Sequence, residues 1–163
     1  MKKKISALLM CSVVILSALI LPVIHATKSM PVQGEWTYVP TMLSVKQADG
    51  NQICEGEEDS IWTGTFSGTS YDTFTVIKHD AVPGPPSFVN VIGVINFEGS
   101  VEGKEGTLVI KFVGKKTGEP LMWYGTWVIL SGTGELENLR GRGTWFGPSM
   151  DLDYAGKIHF DPS

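Results

Sequence analysis

The run MWYGTWVILSGTGELENLRGRGTW, residues 122–145, decides the fold. Its first part alternates with a period of two: Trp123, Gly125, Trp127 and Ile129 share one face, and Met122, Tyr124, Thr126, Val128 and Leu130 the other. Both faces are largely apolar. Such a strand sits between a core and another layer, or lines a barrel whose outside is also covered. The chain then turns. Gly132 and Gly134 permit positive φ or a close backbone approach as the strand ends. Glu135 to Leu139 reads as a compact turn that tucks Leu136 and Leu139 over the end of the fold. Gly141 and Gly143 let the returning strand bend, while Arg140 and Arg142 read as solvated.

The same period runs through the rest of the chain. Leu108, Ile110 and Phe112 alternate with Val109, Lys111 and Val113. Leu152, Tyr154, Gly156, Ile158 and Phe160 alternate with Asp151, Asp153, Ala155, Lys157 and His159, a half-buried strand with one wet face. Further strands are expected at 34–40, 42–48, 60–69, 73–79, 88–98 and 142–146. Turn signals at 49–51, 68–70, 83–86, 102–104 and 116–118 separate them. No ten-residue stretch reads as an amphipathic helix, so the fold is all-β, a sandwich or a closed barrel. The triplet Gly-Thr-aromatic recurs at Gly64-Thr65-Phe66, Gly125-Thr126-Trp127 and Gly143-Thr144-Trp145. Glycines inside strands mark sharp bends or groups packed on bare backbone, and repeated bends with bulky neighbours suit a small coiled barrel.

Two segments add a resemblance. Residues 97–108, FEGSVEGKEGTL, and residues 131–144, SGTGELENLRGRGT, resemble a family of small microbial domains of unknown function placed with the allene oxide cyclase-like barrels. The second is similar to that family's late strand–turn–strand, SGTGxLxxLxGxG. The resemblance covers roughly Trp62 to Phe160; the Trp36 strand, the 49–59 segment and the Pro83-Gly84-Pro85-Pro86 loop have no counterpart in it. It implies a single antiparallel β-barrel of about eight strands with a central cavity. It implies no activity, because fold does not settle function. Barrels of that superfamily often form homo-oligomers, which is an expectation here too.

Residues 1–26 read as a signal peptide. Lys2, Lys3 and Lys4 precede an uncharged stretch from Ile5 to Ile24, and Ala26 supplies a small residue at the cleavage point. The competing reading is an uncleaved anchor, since 20 apolar residues approach the ~20 that span a bilayer. Membrane association follows only from that second reading. Residues 27–163 form the barrel domain, secreted or held in the cell envelope. That part carries 17 acidic against 10 basic residues, a net charge of −7, which excludes a basic nucleic-acid-binding surface. Cys54 is its one cysteine, so an intrachain disulfide is excluded and a half-buried inert thiol is expected.

Catalytic signatures are sparse. His79 and His159 lack metal-ligand spacing, Cys54 has no nucleophile signature, and no cofactor is implied. The acidic run Glu55-Gly56-Glu57-Glu58-Asp59 breaks the spacing of a calcium loop and reads as solvated. The aromatic residues are the better lead. Trp62, Phe97, Phe112, Trp123, Trp127, Trp145 and Tyr154 fall in strands, many on inward faces. They either fill the barrel or frame a pocket for a small apolar or aromatic molecule. Three functions follow: a non-catalytic binder of such a molecule, a cyclase or isomerase that works by folding its substrate, or an interaction module with a filled barrel. An internal carboxylate separates the enzyme from the plain binder, with Glu35 and Glu98 as candidates.

Overall fold

The computed structural model describes residues 28–81, 86, 88–117 and 122–162. The signal segment, most of the Pro83–Pro86 loop and Gly118 lie outside the described residues. Eight strands follow one another: β1 (Met30–Ala48), β2 (Asn51–Gly64), β3 (Phe66–His79), β4 (Phe88–Val101), β5 (Lys104–Thr117), β6 (Met122–Gly132), β7 (Leu139–Ser149) and β8 (Asp151–Phe160). Each pairs antiparallel with the next, and β8 returns to β1, closing the barrel.

The predicted strands at 34–40 and 42–48 are one long strand with an irregularity between Met42 and Ser44. The turn expected at 68–70 is absent. The chain reverses instead at Gly64-Thr65, where Gly64 has φ +95°. Gly68 lies within β3 opposite Gly99, where a Cβ would collide with the Gly99 backbone.

The two ends of the barrel differ. At one end the chain between β6 and β7 forms a short 3-10 turn, Gly134–Leu136, that carries Leu136 and then Leu139 into full burial. The Glu135 carboxylate accepts the Glu105 backbone N–H at 3.1 Å, tying this plug to the β4–β5 hairpin. Arg140 is half-buried rather than solvated: its guanidinium donates to the Glu137 and Leu139 carbonyls and pairs with Asp161 at 3.2 Å. Short side-chain reach to three acceptors around one corner explains the difference.

Above the plug the interior is packed with rings. Trp36 and Trp62 stack with centroids 4.9 Å apart, and Phe66, Phe97 and Tyr154 meet Trp62 edge-on or tilted. The Gly-Thr-Trp triplets of β6 and β7 face each other across the ladder. Trp127 donates its Nε1–H to the Thr144 carbonyl at 3.2 Å, and Trp145 donates to the Thr126 carbonyl at 3.3 Å. Each ring lies flat over the other triplet's glycine: a Cβ at Gly143 would stand 2.6 Å from the Trp127 ring, and one at Gly125 2.6 Å from the Trp145 ring. Missing Cβ atoms make room for indoles, a close approach that strand glycines permit.

The outer face of β6 is not covered by a second layer among the described residues. Tyr124, Val128 and Leu130 are exposed, as is Phe146 beside them on β7. Apolar residues on both faces of a strand therefore reflect the barrel wall alone here.

Candidate functional site

The end opposite the plug is left open by the described residues. There β1 runs on beyond β8, with which it pairs only from Met30 to Thr37, while β2 accompanies it up to Ala48 and is itself paired with β3 from Gln52 onward. A cavity of about 190 Å³ opens at this mouth. Rings of Trp36, Tyr38, Phe74, Phe112, Trp123 and Trp145 line it, with Glu58 as its one acid and Lys116 as its one base among the described residues.

The period of two explains how Glu58 comes inside. On β2, Cys54, Gly56, Glu58, Ser60 and Trp62 are buried in alternation. On β3, Phe66, Ser70, Asp72, Phe74 and Val76 do the same. In the β2–β3 register Glu58 stands opposite Asp72, and Ser60 opposite Ser70. The acidic run 55–59 is thus strand, not solvated loop: Glu55 and Asp59 point out while Glu58 points in. Cys54 is buried, more deeply than the half-burial expected.

These side chains form a polar step between the aromatic floor and the cavity. Trp62 Nε1–H donates to Ser70 Oγ at 2.9 Å, and Ser60 Oγ–H donates to Asp72 Oδ2 at 2.8 Å. Asp72 Oδ1 is buried without a hydrogen-bond partner, and so is the Trp36 Nε1–H. Burial, together with the charge of Asp72 opposite, pushes the Glu58 carboxyl up to about 8. Burial likewise pushes Asp72 up to about 7, against the hydrogen bonds from Ser60 and Ser70 that favour its charged form. Neither acid forms an ion pair among the described residues. At neutral pH the step holds at least one proton, so the cavity presents a carboxylic acid in an aromatic setting.

The structure divides the aromatic candidates. Phe112, Trp123 and Trp145 line the cavity. Trp62, Phe97, Trp127 and Tyr154 lie deeper, in the packed floor with Phe66. Sequence reasoning missed Trp36, Tyr38, Glu58 and Asp72. The signal was the alternation through Trp62, which extends backward to Ser60 and Glu58. Glu35 and Glu98 are both exposed on the outer surface, so neither is the internal carboxylate. His79 and His159 sit at opposite ends of the barrel; His79 stacks on Phe88, and His159 pairs with Asp161 at 3.2 Å. Among the described residues no group of three His, Cys, Asp or Glu is placed to hold a metal ion.

Comparison with known proteins agrees with the barrel. No curated protein matches the chain. Its fold is similar to the crystal structure, at 1.84 Å, of a protein of unknown function from the DUF3224 family of Shewanella oneidensis MR-1. The TM-score is 0.68 at 16% sequence identity, over 83% of this chain and 100% of that one. Residues 35–152 match the family described as "Protein of unknown function (DUF3224)", a span that, unlike the resemblance over residues 62–160, takes in the Trp36 strand, the 49–59 segment and the 83–86 loop and ends at the start of β8. This chain is therefore a member of the DUF3224 family.

Proposed function

We propose that this protein is an exported β-barrel that binds one small, mainly apolar or aromatic molecule in its mouth cavity. The observation that carries the reading is the cavity itself: an open, ring-lined space with one carboxyl, above a floor that is already filled. Small-molecule sites share this composition, apolar walls with a few placed polar groups. About 190 Å³ suits a molecule of one ring with a short substituent, since an apolar cavity of about 150 Å³ accepts benzene. Trp36, whose ring lines the cavity, has a buried N–H that finds no acceptor among the described residues.

Native mass spectrometry of the protein from its own host tests this. A bound small molecule released on denaturation is expected, and Val91→Trp, which places an indole at the cavity wall, should abolish it while the barrel still folds. A clean apo mass together with no response of tryptophan fluorescence to aromatic fragments would count against a pocket.

A second reading has one observation in its favour. Glu58 is an internal carboxylate at a cavity, with its proton exchangeable near neutral pH. An isomerase or cyclase that folds its substrate against the rings could use it as a general acid or base. Turnover of the released ligand, lost in Glu58→Gln, separates enzyme from carrier.

A further inference from the structure

We propose that the ligand of the mouth cavity is an organic ammonium ion, whose cationic nitrogen pairs with Glu58 while the surrounding indoles enclose its carbon skeleton. This rests on the reading of the cavity as a ligand site and adds the charge of the ligand to it.

The argument begins with an imbalance. Glu58 and Asp72 face each other inside the barrel, and no Lys, Arg or His among the described residues is buried with them. Unpaired acids in a low-dielectric interior are costly, and proteins retain them where something compensates. The polar step is also rich in acceptors. Asp72 Oδ1 is buried without a partner within hydrogen-bond distance among the described residues, and Glu58 lines the cavity without an ion-pair partner among them. A ligand that brings N–H donors and positive charge matches this inventory; a carboxylate ligand opposes it.

The walls agree with the floor. Indole faces attract cations, tryptophan most strongly of the aromatic side chains. Trp36, Trp123 and Trp145 all line the cavity, and Trp123 already carries a cation: the Lys116 ammonium lies 5.5 Å from its ring centroid, on the rim. The exported part of the chain has a net charge of −7, a field that draws cations toward it. Glu58 is faced by Asp72 across the strand pair, by the Tyr38 phenol and, at the rim, by Lys116. An arriving ammonium favours the ionised carboxyl, so binding near pH 7 expels a proton from the acid pair.

Three shape-matched probes test the proposal by calorimetry on the purified protein at pH 7, in phosphate and in a sulfonate buffer of larger ionisation enthalpy that carries no net positive charge. They are 2-phenylethylamine, 2-phenylethanol and phenylacetate. The amine should bind at least tenfold more tightly than the alcohol, with phenylacetate weakest. The buffer difference should report release of a fraction of a proton for the amine and none for the alcohol. Glu58→Gln should lose the preference for the amine while keeping the alcohol; Asp72→Asn, which leaves the cavity wall intact, should reduce proton release. Circular dichroism establishes that both variants fold. If the alcohol or phenylacetate binds as well as the amine, the ammonium proposal fails and the ligand site stands. If none of the three binds, and Val91→Trp changes nothing in the native mass spectrum, the site and the proposal both fall.

Discussion

Glu58 and Asp72 stand directly opposite each other in the β2–β3 register, both turned inward, and neither has a base for a partner among the described residues. The pair makes stability depend on pH with a sign opposite to that of an ordinary salt-bridged carboxylate. Folding raises Glu58 from its usual 4.5 to about 8 and Asp72 from 3.8 to about 7. Between those limits the folded chain holds protons that the unfolded chain has released. The stabilisation is therefore complete below about pH 4 and is lost as pH rises through 7 to 8. The melting temperature should fall by several degrees from pH 5 to pH 8.5 at fixed ionic strength. Glu58→Gln and Asp72→Asn should each flatten the slope. A melting temperature independent of pH in all three proteins would mean that water reaches both carboxyls.

The paired indoles of β6 and β7 give a second expectation. Gly143→Ala would drive a methyl into the Trp127 ring, and the neighbouring Ala155 carbonyl blocks its retreat. Overpacking of this kind costs about 1–3 kcal/mol, and here the backbone contact places it at the upper end. Gly103→Ala is the control: its Cβ would meet nothing within 4 Å, and only its φ of +77° resists, at about 1 kcal/mol. Urea unfolding should rank Gly143→Ala clearly below Gly103→Ala.

These same residues show where sequence reading succeeds. Period-two alternation from 122 to 130 and from 151 to 160, with the glycine-rich corner at 132–143, specifies strands and plug, while closure rests on the recurrent Gly-Thr-aromatic triplets and the resemblance. Alternation survives because one face of each strand is buried. The reading faltered where chemistry and geometry disagreed. Glu58 sits in a run of acids that looks wet, yet the pleat turns every second member inward whatever its charge. Gly68-Thr69-Ser70 has the composition of a turn, but Gly68 serves a close approach to Gly99 instead. Inward direction alone also could not separate floor from cavity. Trp127 and Trp145 are equivalent in sequence, and only height along the barrel puts one in the floor and the other at the mouth.

The plug should be energetically strong. Leu136 is fully buried, although it lies in a three-residue 3-10 turn with no side-chain cap. Leu136→Ala should cost about 3 kcal/mol. It should also loosen the closed end, so amide exchange should accelerate at Leu139 and Arg140 more than at the mouth. Uniform acceleration along every strand would mean that the plug has no local role.

Tyr154 supplies the last expectation. It projects from β8 over Gly34 of β1, and its hydroxyl reaches the β2–β3 corner. There it accepts the Phe66 backbone N–H at 2.8 Å and donates to the Thr63 carbonyl at 3.0 Å. One phenol thus bridges three strands at the point where the chain reverses around Gly64. Burial pushes that phenol up to about 12, so the bridge persists across the range in which Glu58 and Asp72 titrate. Tyr154→Phe keeps the ring and removes the bridge, leaving a buried N–H without its acceptor, a loss of about 1–3 kcal/mol. Phe66 amide exchange should quicken first, and the pH dependence of melting should keep its slope. An unchanged Phe66 amide in this variant would mean that the corner is held by packing of Phe66 on Trp62 and Phe97 rather than by the phenol.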